Sequence, residues 1–267
     1  MVEVIKEIET IKINGEPISY RAFLLKVPEY GGMSAIHVRF LEEIIPDSII
    51  EYEDGELSIW TSPENYNELK GWKICIDKGH GGDETGAVDC VNASENDYIC
   101  SVEADINLLT GRIVTELLRK KGAEVILTRK DKEAVPLTLR SDIANENNAD
   151  LFVSIHYNAY SDSSARGIET YHYPGSTYGK QLAQAIHERV LAVEGFPDRG
   201  VKDARFSVLR RTIMPSVLVE YGFITNVEEE KIINTDEYRQ KVSKATVEGI
   251  IEFCREHPEL KKNRGNA

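Results

Sequence analysis

The chain has 267 residues, 41% of them hydrophobic and 29% charged, with a formal net charge of −13. That length makes one or two domains with ample chain for a core, and the acidity argues against a nucleic acid or an anionic membrane held by general electrostatics. No apolar run approaches the ~20 residues of a spanning helix, so no membrane insertion is expected.

The charge is unevenly spread. Residues 1–70 carry 6 Lys and Arg against 14 Asp and Glu, the remainder 26 against 31. The first quarter is the more acidic per residue, which suggests a separate unit. The amino terminus, Met1-Val-Glu-Val-Ile-Lys-Glu, has no basic stretch leading into an apolar one, so no signal peptide is expected. The four cysteines (Cys75, Cys90, Cys100, Cys254) show no C-x-x-C spacing, which argues against a cysteine zinc site. Cys75 and Cys254 are expected as small buried hydrophobes; Cys90 and Cys100 share one polar loop, and their spacing leaves pairing open.

Ile8-Glu-Thr-Ile-Lys-Ile-Asn14-Gly15 alternates and then meets an Asn-Gly turn, a strong hairpin signal. Ile49 to Trp60 repeats the device around Asp54-Gly55. Between them, Ile36 to Ile45 reads as a strand leading into a short helix, with His37 structural or exposed. Residues 1–62 thus make a small β-rich α+β domain, loosely similar to the stalk-type repeats attached to bacterial wall enzymes. Polar residues around Pro63 mark a linker over 63–71.

From residue 72 strands and helices alternate, the pattern of an α/β sheet with helices on both faces; a mixed, mostly parallel sheet is expected over 72–257, with a tail at 258–267. The strand Lys73-Ile-Cys-Ile-Asp77 runs into Lys78-Gly-His80-Gly-Gly82, and a polar excursion follows as far as Cys100. Ser101 is a credible N-cap for a helix whose inward face is Ile106, Leu109, Ile113 and Leu117. Glu124 to Leu127 is the next strand, and a helix over Pro136 to Asn148 leads to the apolar strand Asp150 to His156. Ile168 to His172 is a strand feeding a helix over 177–193, with Leu182, Ile186, Val190 and Val193 inward. Phe206 to Leu209 reads as a short strand, Pro215 to Glu220 as a buried one, and Asp236 to Arg255 as the last helix.

In such sheets chemistry gathers beyond the carboxyl ends of strands, and here three strands end in His80, His156 and Glu220. Glu103, in the first turn of a helix, adds a fourth. Two imidazoles and a carboxylate with an open position form the ligand set of hydrolytic zinc. A second carboxylate is then needed to move the proton. Each residue also has an ordinary structural explanation. Glu103 complements a helix dipole, and His156 suits a hydrogen-bonded core histidine. Glu220, directly after Val217-Leu-Val, is buried by that context and needs a partner or a job.

Six ordered motifs carry a resemblance: Ile76-Asp-Lys-Gly-His80-Gly-Gly, Glu103-Ala-Asp-Ile-Asn-Leu108, Val125-Ile-Leu-Thr-Arg129, Leu139-Arg-Ser-Asp-Ile-Ala-Asn145, Ser154-Ile-His156-Tyr-Asn158-Ala and Pro215-Ser-Val-Leu-Val-Glu220-Tyr-Gly-Phe-Ile-Thr-Asn226. Over roughly 72–255 the chain resembles the zinc-dependent N-acetylmuramoyl-L-alanine amidases. The resemblance implies His80, Glu103 and His156 as ligands of Zn2+ and Glu220 as the catalytic acid/base. The implied reaction cuts the amide between N-acetylmuramic acid and L-alanine in bacterial peptidoglycan, and Asn158, just past a ligand, looks like a substrate-facing residue. Two departures stand out: Lys78 replaces the family's usual proline, and the excursion before Glu103 is longer than the common form. The setting expected is a phage lysin released from the host cytoplasm to act on the cell wall, with a secreted enzyme as the alternative. The competing functions are a zinc peptidase cutting within the stem peptide and a non-catalytic wall-binding protein.

Overall fold

Three strands with apolar centres, at 73–78, 151–158 and 216–223, are covered on both faces, which is why Ile74–Ile76, Leu151–Val153 and Val217–Val219 read as unbroken apolar runs. The computed structural model describes residues 68–89, 100–193 and 195–262 and, before them, six strands. These are β1 (Glu3–Ile8), β2 (Ile11–Ile13), β3 (Glu16–Ile18), β4 (Ala22–Lys26), β5 (Ser48–Glu53) and β6 (Glu56–Thr61). Both expected hairpins are present: β2 pairs antiparallel with β3 and β5 with β6, and a parallel β2–β6 contact joins them in the order β3-β2-β6-β5. β1 pairs with β4 in a separate two-stranded sheet. The strand and helix expected over Ile36 to Ile45, with His37, lie outside the described residues.

The chain divides into two compact units, Met1–Asn67 and Glu68–Ala267. Leu69, within the stretch expected as linker, is fully buried in the core of the second unit. That unit runs β7 (Lys73–Lys78), β8 (Val88–Asp89), β9 (Ser101–Val102), α1 (Glu103–Lys120), β10 (Glu124–Leu127), α2 (Leu137–Glu146), β11 (Leu151–Asn158), β12 (Ile168–His172), α3 (Thr177–Leu191), β13 (Asp198–Asp203), α4 (Ser207–Arg211), β14 (Ser216–Phe223), α5 (Val227–Ile233) and α6 (Asp236–Glu256). Its sheet has the order β10-β7-β11-β14-β12-β13 and is parallel except where β12 meets β14. The expected mixed, mostly parallel sheet is what forms.

The period-2 alternation of strands sorts their side chains between two cores. Ile74, Ile76, Val153, Ile155, Val217 and Val219 face α1, α3 and α6. Cys75, Phe152 and Leu218 face a smaller cluster with Ala144 of α2 and Val208 and Leu209 of α4. By the same alternation Asp77, Ser154, His156 and Glu220 fall on the α2/α4 side, and Lys78 on the α1 side. This parity decides where the chemistry sits.

Several expectations are corrected. Ser101 is not an N-cap: Val102 occupies that position without a side-chain bond, and the Ser101 hydroxyl donates to Glu230 at 2.6 Å. The buried face of α1 is turned by about a residue from the one expected. Asn107, Thr110, Gly111, Val114 and Leu118 are buried, whereas Leu109 is 43% exposed. The inward polar positions make specific contacts, such as Thr110 with the Tyr157 hydroxyl at 2.9 Å, so hydrophobicity alone mispoints the helix. Phe206 to Leu209 is not a strand; Phe206 caps the short helix α4. Strand β13 and helix α5 were not expected. Cys75 and Cys254 are free and buried, as expected, and Cys100 is disulfide-bonded, while Cys90 lies outside the described residues.

Candidate active site

After β7 the chain turns through Gly79-His80-Gly81-Gly82, and His80 itself takes the left-handed conformation at φ 59°. Two glycines make room for the groups that meet here. A Cβ on Gly79 would lie 2.2 Å from the His156 ring, and one on Gly86 would lie 2.5 Å from Glu103 Oε2 and 2.6 Å from His80 Cδ2. Glu103, the first residue of α1, is 5% exposed and stands between the two imidazoles. Its Oε1 is 2.8 Å from His156 Nδ1 and its Oε2 is 3.2 Å from His80 Nε2. The Ala87 N–H donates to Oε2 at 2.9 Å, which fixes the carboxylate plane.

Ligand-capable atoms of His80, Glu103 and His156 all lie within 4.8 Å of one another, so these three could hold a metal ion. Burial pushes the Glu103 carboxyl up, but the hydrogen bonds and charges of His156 and His80 outweigh it and hold the group well below the usual range.

The loop that presents His80 is clamped from beneath. Asp77 is buried, and both its oxygens are taken: Thr128 and Arg140 donate to Oδ1 at 2.6 and 2.8 Å, and Ser154 donates to Oδ2 at 2.7 Å. Arg140 also donates to the Lys78 and His80 carbonyls at 2.9 and 2.8 Å. A second buried guanidinium, Arg129, donates to the carbonyls of Lys78 at 2.7 Å, Gly79 at 3.0 Å and Ala104 at 2.7 Å. Three consecutive carbonyls of the loop therefore end on planar, permanently charged forks, which fix direction as well as distance.

Glu220 lies beside His156 in the β11–β14 register and opposite Glu169 across β12. Its Oε2 is shut off from solvent and has no hydrogen-bond partner, the only carboxylate oxygen so placed among the described residues. Burial, then the negative charges of Glu103 and Glu169, push its pKa well above the ordinary glutamate value. Glu169 is itself buried but well served, by Tyr171, Arg199 and, at 3.1 Å, Lys202.

His80, His156 and Glu220 line one cleft of about 300 Å³, with Leu137, Phe206 and Leu218 as its apolar contribution. The four residues expected to carry the chemistry are thus brought together. Asn158 does not line that cleft; its Oδ1 accepts from the Ala159 N–H at 2.8 Å.

Residues 74–252 match the family of N-acetylmuramoyl-L-alanine amidases. The chain belongs to that family. It is 40% identical to the uncharacterized protein YqiI of Bacillus subtilis, over 69% of this chain and 86% of that protein. It is 36% identical to the N-acetylmuramoyl-L-alanine amidase LytC of the same organism, over 71% of this chain but only 37% of LytC. Among solved structures, the catalytic domain of the amidase CwlV from Bacillus (Paenibacillus) polymyxa superposes with a TM-score of 0.62 at 32% identity, over 69% of this chain and 98% of that domain.

Sequence reasoning assigned no role to the clamp on the His80 loop. Asp77, Arg129 and Arg140 all fall inside the motifs that carry the resemblance, and Asp77 directly follows an apolar run, but neither signal specifies their pairing. Glu169 carried the same signal, an acid directly after Ile168.

Proposed function

We propose that the second unit of this amidase cuts the amide between the lactyl group of N-acetylmuramic acid and the first L-alanine of the peptidoglycan stem, with zinc held by His80, Glu103 and His156. The observation that supports this most is the convergence of those three ligand groups beside a buried carboxyl oxygen that nothing else uses. The donor set fits: two imidazoles and one carboxylate, cradled where two glycines leave no room for a Cβ, match hydrolytic zinc. When bound, zinc polarises the scissile carbonyl and lowers the pKa of a water to about 7.

The chain's own residues do the rest. The Ala87 N–H and the clamped loop hold Glu103 and His80 in place before substrate arrives, so no reorganisation is needed at the moment of reaction. Glu220 takes the proton of the attacking water on Oε2 and delivers it to the departing alanine nitrogen. A cation at the three ligands favours the ionised, proton-accepting form of Glu220, offsetting the push from Glu103 and Glu169. Leu137 and Phe206, both exposed where they line the cleft, offer the substrate an apolar surface. Asn158, at the end of β11, contacts substrate outside the narrow part of the cleft.

Residues 1–62 serve as an accessory unit that holds the enzyme to the wall, and the stretch from there to Asn67 joins it to the catalytic unit. The wall is the place of action; release from a host cytoplasm as a lysin and secretion would both deliver the enzyme there. No described helix is long and apolar enough to cross a membrane.

Digestion of purified peptidoglycan tests the reaction. New amino-terminal L-alanine should appear in step with unsubstituted lactyl carboxyls, whereas new amines elsewhere in the stem would show a peptidase. Elemental analysis tests the metal: wild type should carry zinc, and His156→Ala should lose most of it. Full retention would sink the ligand assignment.

A further inference from the structure

On the α1 side of the sheet, away from the cleft, lies an open cavity of about 570 Å³ lined by Lys78, Arg112, Arg119, Lys120 and Lys130, with Glu116 the one acid among the described residues that line it. A concentration of cations is unusual in a chain of net charge −13. Two of them are paired, Arg112 with Asp131 at 3.1 Å and Lys120 with Glu116 at 3.0 Å. Lys78, Arg119 and Lys130 have no ion-pair partner among the described residues.

The attraction of a helix carboxyl terminus for cations accounts for Arg119 and Lys120. It does not account for Lys78, which comes from the end of β7 and is 1% exposed. The fold has made space for it: α1 has glycine at position 111, where a Cβ would lie 2.3 Å from Lys78 Cγ. The stem passes through that notch and brings the ammonium to the cavity, where its one hydrogen-bond partner among the described residues is the Lys130 carbonyl at 3.3 Å. A buried ammonium with a single long hydrogen bond is costly unless a further acceptor meets it. The surrounding guanidinium and ammonium groups define that acceptor as an anion.

We propose that this cavity binds a polyol-phosphate chain, the phosphodiester polyanion carried by many bacterial walls, with Lys78 at its floor and Arg112, Arg119 and Lys130 along its rim. That the polymer is a wall component rests on the wall amidase function above. Arg112 to Lys120 extends about 12 Å along α1 at 1.5 Å per residue, enough for more than one phosphate. Arginine suits phosphate oxygens through its paired donors, and lysine as a point charge. A nucleic acid fits poorly, because among the described residues no aromatic side chain lines the cavity for a base to stack on.

The test is equilibrium binding of the full chain to a short synthetic oligo(glycerol phosphate), with inorganic phosphate and a single-stranded DNA of equal charge as parallel arms. The oligomer should bind saturably and more tightly than either, and weaken as salt shortens the Debye length from about 10 Å at 0.1 M to 3 Å at 1 M. Lys78→Met should weaken it at least about tenfold, the worth of one charged hydrogen bond. The double variant Arg119→Ala/Lys130→Ala, altered only at exposed positions, should do so without loss of fold or of activity on a soluble muropeptide. Absence of binding, equal binding of inorganic phosphate or DNA, or unchanged affinity in both variants would overturn the proposal. No peptidoglycan is present in the assay, so its failure and a failure of the amidase reaction are read separately.

Discussion

Two acids on the same side of the sheet, Asp77 buried and Glu220 half-buried with one enclosed oxygen, have opposite surroundings. Asp77, at the end of β7, has both oxygens filled by Thr128, Arg140 and Ser154, and although burial pushes its pKa up, Arg140 and the two hydroxyls bring it below the ordinary value. Glu220, in β14, has an oxygen with no partner, and burial, then the charges of Glu103 and Glu169, push its pKa up. The difference separates scaffold from machinery. A group whose hydrogen-bonding capacity is fully used holds a shape, and a buried group left with capacity is poised for something that is not protein.

The largest expected effect comes from breaking the satisfied site. Arg140→Ala strands the Asp77 charge and releases the Lys78 and His80 carbonyls, and should cost about 3–5 kcal/mol in denaturant unfolding. A loss below about 1 kcal/mol would mean that the pair is not the scaffold described.

The pH dependence sharpens the same contrast. Because the folded pKa of Asp77 is lowered, its contribution is present above the ordinary aspartate value of about 3.9 and is lost as pH falls through the folded value. Unfolding free energy measured below pH ~4 should therefore fall steeply in wild type and less so in Arg140→Ala. Equal slopes would contradict the assignment.

A smaller effect is expected at Glu169, which resembles Asp77 in being satisfied but neighbours Glu220. Arg199→Ala leaves Lys202 and Tyr171 in place. Arg199 is 38% exposed, so solvent screening limits the loss to about 1 kcal/mol. Melting of that variant measures it, and collapse of the fold would show that Arg199 carries more than a shared contact.

Much of this was legible in sequence where a side chain's job follows from its neighbours in the chain. The central strands announce themselves through Ile74–Ile76, Phe152–Ile155 and Val217–Val219, and Glu220 stands out because an acid directly after such a run cannot be idle. The two hairpins of the first unit follow from Asn14-Gly15 and Asp54-Gly55. What was not legible depends on partners far along the chain. The polar inward face of α1 makes sense only once Tyr157 and Lys78 are beside it, so an apolar count rotated the helix. Strand β13, Asp198-Arg-Gly-Val-Lys-Asp203, lies at the sheet edge and, with Val201 its one aliphatic residue, lacks the apolar signature of the centre. The Asp77–Arg140 clamp joins residues 63 positions apart, a pairing no local pattern specifies.

The most direct measurement is Glu220→Gln, with zinc content, melting temperature and turnover read on one preparation. The near-isosteric amide removes the titratable proton and little else. Zinc should be retained in full and the fold kept, with melting unchanged or raised, because a carboxyl with one buried, unpartnered oxygen is replaced by a neutral group. Turnover should nonetheless fall by about 10²–10⁴, the worth of a positioned acid/base. Loss of zinc along with activity would make Glu220 a ligand, and wild-type turnover at full zinc occupancy would contradict its role as the proton carrier.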